Sequence, residues 1–251
     1  MEGNPGGISR DAHLFHLKQC PLFQQLSPDE LNAVFNASQM VTLDARQNIP
    51  PSSKGEPSVW VVKRGHVSLC YVGPDGRDGV VVILGPGDLF GARMSAPGEE
   101  AAEEESYGEV PVTLTSACLC RLSVKKLEAL LLRYPNISYS LNKANFRRIH
   151  KLHVRMADLM MRPVDQRVAI ALLDLAQIAS TAGADGSRTL DFTVSQRELS
   201  TLVGSSREMV TRVMQQFRKS GLVHFERRII TLCDVARLEA LGGRVGAPAA
   251  S

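Results

Sequence analysis

The most restrictive feature of this sequence is a pair of helix-start signals, Ser195-Gln196-Arg197-Glu198 and Ser205-Ser206-Arg207-Glu208, with Gly204 just ahead of the second. Each has the form of a capping box. A serine hydroxyl accepts from the backbone N–H three residues on, and the glutamate there reaches back to the serine's own N–H. Only a short helix fits between the two, with Leu199, Leu202 and Val203 as its buried face. Gly204 ends it, because glycine adopts a left-handed conformation past a helix C-terminus without steric cost. After the second signal Val210, Val213, Met214 and Phe217 recur at i, i+3, i+4 and i+7, a complete amphipathic face. Two short helices joined by a tight glycine turn form a helix-turn-helix.

The polar face of the second helix carries the chemistry. Arg207, Glu208, Thr211, Arg212 and Gln215 point away from the apolar stripe and crowd its N-terminal half. An arginine there can donate two hydrogen bonds to guanine O6 and N7, a glutamate can accept one from cytosine N4, and a threonine can contact either kind of edge. Arg207, Glu208, Arg212 and Thr211 are the predicted base readers. Ser195, Gln196, Ser205 and Ser206 near the helix N-termini, and Gln215 further along the second helix, are predicted to hold or support phosphates. Downstream, 221–225 and 229–232 bracket Glu226-Arg227-Arg228, a hairpin whose tip adds Arg227 and Arg228 to the phosphate set and completes a winged helix. Residues 193–230 hold seven Lys and Arg against three Glu, whereas the whole chain carries a net charge of only +3. The pattern points to double-stranded DNA as partner. A protein-binding winged helix with an ordinary solvated face is the competing reading.

Upstream, between Val41 and Leu122, the periodicity is that of strands. Ser58–Val62, Val67–Val72, Val80–Leu84 and Val110–Leu114 are rich in β-branched residues and separated by turn residues such as Gly73-Pro74-Asp75-Gly76. This reads as a small barrel or sandwich. Helices flank it. Ser27-Pro28-Asp29-Glu30 opens one within a helical stretch running to Met40, and 124–134 forms another. A long helix is predicted over 136–161. Its Ile149, Leu152, Met156 and Leu159 step by 3, 4 and 3 on a surface otherwise occupied by Lys143, Arg147, Arg148, Lys151 and Arg155. A narrow stripe of that period suits pairing with a second copy of the chain. Pro163 breaks it. A further helix covers 164–180, and 182–187 reads as a loop. The predicted organisation is a β-domain with flanking helices at 14–135, a dimerisation helix at 136–161, a winged helix at 163–240, and flexible tails at 1–12 and 242–251.

Several classes are set aside. No apolar run reaches the ~18 residues needed to span a bilayer, so a membrane is not an expected partner. The N-terminus has neither a basic region nor an apolar one, and five scattered cysteines do not make a secreted disulfide scaffold. The cytoplasm is the expected compartment. The motifs of P-loop, zinc-protease and serine-hydrolase enzymes are missing, and no enzymatic role is expected. A cupin-like metal enzyme would need histidines clustered along the strands, and His66 is the only one in 41–122.

At these residues the sequence resembles the Crp/Fnr superfamily of bacterial transcription regulators, from about Leu17 to Leu238. Ser206-Arg207-Glu208-Met209-Val210-Thr211-Arg212 is similar to that family's recognition helix. Cys20-Pro21-Leu22-Phe23, the run from Trp60 to Val67, Gly85–Gly91 and Leu222-Val223 also fit. The resemblance implies an α+β chain: an N-terminal double-stranded β-helix (jelly-roll) domain of the cyclic-nucleotide-binding type, a long dimerisation helix and a C-terminal winged helix-turn-helix. It further implies a homodimer on a palindromic DNA site with Arg207, Glu208 and Arg212 reading each half, a TGTGA-like half-site, and RNA polymerase as a candidate further partner.

The effector pocket departs from the pattern. Gly87, Asp88 and Leu89 keep part of the family's first pocket motif, but Gly108-Glu109 stands where an Arg-Ser or Arg-Thr pair holds a cyclic-nucleotide phosphate. Five glutamates lie within 99–105, and Arg93 is the one nearby cation. An acidic loop repels a phosphodiester, which weighs against cyclic AMP. Cys20 stands apart from any close cysteine cluster, against an Fe–S centre. His66 and Cys70 do not match haem-ligand spacing, and Cys118 and Cys120 read as small buried hydrophobes. His150 and His153 read as a solvated helix face. No cofactor and no metal site is expected.

Overall fold

The computed structural model describes residues 18, 23–50, 52–53, 56–72, 78–91 and 108–243. Cys20, the 73–76 turn, Arg93, the acidic run 99–105 and, apart from Gly242 and Gly243, the tails lie outside these residues. The chain divides into two compact units, residues 1–69 with 83–150, and residues 70–82 with 151–251.

In the first unit, α1 (Pro28–Ala37) starts at the predicted capping box. Ser27 Oγ accepts from the Glu30 N–H at 3.3 Å, and the Ser27 N–H donates to the Glu30 carboxylate at 2.8 Å. The helical stretch expected to run to Met40 ends earlier, at Ser38. Residues Gln39–Leu43 form β1, paired antiparallel with β8 (Ala117–Ser123) from Gln39 opposite Arg121 to Leu43 opposite Ala117. A full row of ladder bonds outweighs a local helical pattern that few residues sustain. β8 also pairs with β3 (Glu56–Arg64), which carries β2 (Ser52–Ser53) and β6 (Leu89–Gly91). A second sheet has the order β5-β4-β7, with β4 at Val67–Val72, β5 at Asp78–Leu84 and β7 at Gly108–Thr113; residues 70–82 of its β4–β5 hairpin belong to the second unit. The four predicted strands are therefore present, and β1, β2 and β6 are additions.

The consecutive run Val59-Trp60-Val61-Val62 is wholly buried, as expected of a strand covered on both faces. One of those coverings is a cluster in which Phe23, Leu26, Leu31 and Val34 meet Val61, Cys120, Leu122, Leu130 and Ile137. Leu130 belongs to α2 (Val124–Arg133), capped by Ser123, and Ile137 to the first turn of α3 (Pro135–Met161). Pro135 occupies the first helical position, where a missing N–H costs nothing. Asn136 donates to Glu30 at 3.0 Å, tying the start of α3 to α1.

In the second unit, α4 (Val164–Ile178) follows Pro163, which stands extended, and buries Val168, Ala169, Leu172, Leu173, Leu175 and Ala176. The segment 182–187, expected as a loop, is the tip of a hairpin between β9 (Ser180–Ala182) and β10 (Arg188–Leu190). Asp185 makes the turn by accepting from the Ser187 N–H at 3.0 Å and its hydroxyl at 2.6 Å, an Asx-turn that a propensity reading registers only as polar. β10 pairs with β12 (Ile229–Leu232), which pairs with β11 (Val223–Glu226), giving a four-stranded sheet. Around it lie α5 (Gln196–Leu202), α6 (Arg207–Lys219) and α7 (Val235–Leu241).

Candidate nucleic-acid interface

The helix-turn-helix is assembled from local bonds. At Ser195 the predicted capping box is complete. The Glu198 N–H donates to Ser195 Oγ at 3.1 Å, and the Ser195 N–H donates to Glu198 Oε2 at 2.7 Å. The far end of α5 closes as a Schellman motif. Gly204, at φ +59°, donates to the Thr201 carbonyl at 3.3 Å, and Ser205 donates to the Ser200 carbonyl at 3.0 Å. This corrects the second expected capping box. Ser205 is consumed by the turn, so the cap of α6 is Ser206, whose Oγ accepts from the Met209 N–H at 3.2 Å. Glu208 consequently sits one position too early to reciprocate. Its own backbone N–H and the Ser206 hydroxyl bind its carboxylate instead and, with the nearby Arg207 charge, hold its pKa below the usual value. Glu208 is thus an anionic acceptor at neutral pH.

Val210, Val213, Met214 and Phe217 are all buried, and Arg207, Glu208, Arg212 and Gln215 are all exposed. Thr211 differs from its expected place. It is half-buried, and its hydroxyl lies 2.6 Å from Gln196 Oε1 and 2.7 Å from the Arg207 carbonyl. The Thr211–Gln196 pair braces the two helices against each other, so both side chains have structural work inside the motif.

The wing is a two-residue hairpin in which Glu226 opposes Ile229. Both loop residues, Arg227 at φ +49° and Arg228 at φ +70°, are left-handed, as a type I′ turn requires. The Val194 N–H donates to the Arg228 carbonyl at 3.0 Å, fixing the wing to the loop that leads into α5. Beneath, the Arg218 guanidinium lies 5.5 Å from the Phe225 ring centre. Between the wing and the two helices runs a groove of about 480 Å³, lined by Ser195, Gln196, Arg197, Arg207, Phe225 and Arg228 among others. Three guanidinium groups and two helix N-termini border it, an arrangement that attracts a polyanion.

The other site residues fall in the first unit and on α3. Gly87 takes φ +95° and donates to the Val62 carbonyl at 2.8 Å. Asp88 turns its carboxylate onto the Gly85 N–H at 2.8 Å, so it braces the turn. The Leu89 carbonyl accepts from Arg148 of α3 at 2.6 Å, a link between the pocket motif and the long helix that no sequence pattern signals. Burial holds the His66 imidazole below its usual pKa, opposed by Asp88. On α3 the stripe residues Ile149, Leu152, Met156 and Leu159 are 47%, 39%, 59% and 40% exposed. Among the described residues no helix is long and apolar enough to cross a membrane, and no group of three or more His, Cys, Asp or Glu could hold a metal ion.

A capped helix-turn-helix with an exposed reader face and an arginine-tipped wing, together with a two-sheet β-domain, defines a DNA-binding transcription regulator. Residues 166–241 match the family model of the Crp-like helix-turn-helix domain, and residues 52–134 match that of the cyclic nucleotide-binding domain. The chain belongs to the Crp/Fnr superfamily. It is 28% identical over 225 residues to a CRP-like cAMP-activated global transcriptional regulator of Mycobacterium tuberculosis, covering 88% of this chain and 96% of that protein. It is also 28% identical over 225 residues to a cyclic AMP receptor protein of Thermus thermophilus, covering 90% and 98%. Among solved structures, a Crp-family transcriptional regulator of Thermus thermophilus superposes with a TM-score of 0.62 at 26% identity, covering 81% of this chain and 96% of that one. A Crp/Fnr-family regulator from Eubacterium rectale has the same fold, with a TM-score of 0.65 at 19% identity, covering 89% and 98%.

Proposed function

We propose that this regulator acts as a homodimer on a palindromic DNA site, with Arg207, Glu208 and Arg212 of each copy reading one half. The observation that carries the reading is the division of α6. Its four apolar residues are buried, while these three side chains stand exposed beside the arginine-lined groove. Ser195, Ser206, Gln215, Arg227 and Arg228 flank them as phosphate contacts. Ser205 contributes through the turn, and Thr211 and Gln196 support the reader from inside. The half-exposed stripe of α3 supplies a pairing face of coiled-coil period. Two recognition helices engage together when they stand about one DNA turn, ~34 Å, apart.

The relatives named for activation by cyclic AMP do not set the effector of this chain. Glu109 at the position of the phosphate-binding pair and the inward use of Asp88 support a signal other than a cyclic nucleotide. RNA polymerase is the further partner this class of activity calls for, and the cytoplasm its place of work.

The test is random-oligonucleotide selection with purified chain, without additives and then with candidate small molecules. The expected product is a palindrome, and Arg207→Ala should lose about 1–3 kcal/mol of discrimination at one base pair per half-site. Unchanged affinity and selectivity in that variant refutes the assignment of Arg207.

A further inference from the structure

Beyond α3, the described residues of the winged-helix region expose very little apolar side chain. Among the described residues from Val164 onward, Met209 and Ile229 are the only exposed large hydrophobics, at 37% and 44%. Scattered exposed apolar residues need no explanation in general, but the place of Met209 does. It lies in the first turn of α6, directly after Glu208 and three residues before Arg212, on the flank opposite Arg207. Every other exposed residue of that helix can form hydrogen bonds.

The backbone at this point is fixed. The Met209 N–H is held by Ser206 Oγ, so the side chain leaves the helix from a capped, ordered turn. A polar side chain at such a position would contact a phosphate or a base-edge hydrogen-bonding group. A thioether is a poor acceptor and donates nothing. It is, however, long, unbranched and polarizable, and it adapts to irregular apolar surface. The major groove offers one apolar feature, the C5-methyl group of thymine.

We infer that Met209 is a specificity residue that packs on a thymine methyl in each half-site, beside the base pairs read by Glu208 and Arg212. This rests on the proposed base-reading role of α6. It adds a readout that hydrogen-bonding residues do not provide, since deoxyuridine presents the same hydrogen-bonding edge as thymidine and lacks only the methyl.

That difference supplies the experiment. The selected site is synthesised with each thymine in turn replaced by deoxyuridine, symmetrically in both halves, and affinities are measured for the full chain and for Met209→Ala and Met209→Leu. The expected result is one thymine whose replacement weakens binding of the unsubstituted chain by about fourfold per half-site, the value of one buried methyl-sized group. Met209→Ala should lose most of that sensitivity, Met209→Leu should keep it, and the other thymines should respond alike in all three proteins. Equal uracil sensitivity at every position in the chain and in Met209→Ala overturns the inference while leaving the DNA reading intact. Failure to select any site overturns the DNA reading, and this inference with it. Circular dichroism and the oligomeric state of the two variants show that the comparison is between folded proteins.

Discussion

The wing tip sets conformational strain against function, and the two can be separated by substituting glycine. Arg227 and Arg228 sit at φ +49° and +70°, where a non-glycine residue pays about 1–2 kcal/mol of steric cost. Glycine removes that cost but has more freedom to lose from the unfolded chain, about 0.5–1 kcal/mol. Each of Arg227→Gly and Arg228→Gly should therefore stabilise the hairpin by about 0.5–1 kcal/mol. The backbone bond from Val194 to the Arg228 carbonyl is retained, because it does not depend on the side chain. DNA binding should move the other way. If each arginine meets one phosphate, a dimer carrying one of the substitutions loses two contacts, and the slope of log affinity against log salt becomes shallower by about 2. Chemical denaturation and amide exchange across β11 and β12 measure the first effect, and titrations at several salt concentrations the second. A variant that is less stable, or one whose salt slope is unchanged, refutes the reasoning. The first outcome would show that the side chains do more than strain the turn, and the second that they do not face the backbone of DNA.

Three further predictions follow from single bonds or faces. Ser206→Ala should cost about 1 kcal/mol by releasing the Met209 N–H, whereas Ser205→Ala should be nearly neutral, a contrast that denaturation midpoints resolve. Glu30 accepts from the Ser27 N–H, which is the main reason its pKa lies below the usual carboxylate value. The depressed pKa means that its stabilising contribution is present above the unfolded carboxylate pKa and is lost as pH falls through the folded one. The stability gap between the chain and Glu30→Gln should accordingly close on acidification, as read from urea midpoints across that range. Met156→Glu, placed within the α3 stripe at a residue already 59% exposed, should leave the fold intact and weaken self-association by about 2 kcal/mol or more, as sedimentation would show.

The parts legible in the sequence are those whose signals are local. The Ser27 and Ser195 capping boxes, the four buried positions of α6, the break at Pro163 and the wing each depend on residues a few positions apart, and the structure has them where the spacing puts them. What escaped depends on distant partners. β1 is a strand because β8 runs beside it, and β6 is only three residues long, held by register with β3. The cap of α6 shifted by one residue because the Schellman turn consumes Ser205, a competition between two local motifs that spacing alone leaves open. The inward turn of Thr211 requires Gln196 to stand across from it, which only the packed pair of helices brings about.

The reader helix is not positioned by its own pair of helices alone. The last carbonyls of α5 have no partner within the helix, and two arginines from outside the motif reach them. Arg155, late in α3, donates to the Leu202 carbonyl at 2.6 Å. Arg167 of α4 donates to the Val203 carbonyl at 2.6 Å and to that of Gly204 at 3.1 Å. A cation at a helix C-terminus also meets the negative end of its dipole. Gly204 has a second reason to be glycine besides its positive φ, since a Cβ there would stand 2.6 Å from Leu159 Cδ2. Leu159 therefore serves two surfaces, as a member of the proposed pairing stripe and as the wall against which the turn is packed. On that pairing, a change in how two copies of α3 meet would move Leu159 and Arg155 together. The turn that carries α6 would then be pulled between Leu159 and Arg155 on one side and Arg167 of α4 on the other. On the proposed pairing, a shift at that face reaches the reader turn through Leu159 and Arg155 without any change in the residues that read bases.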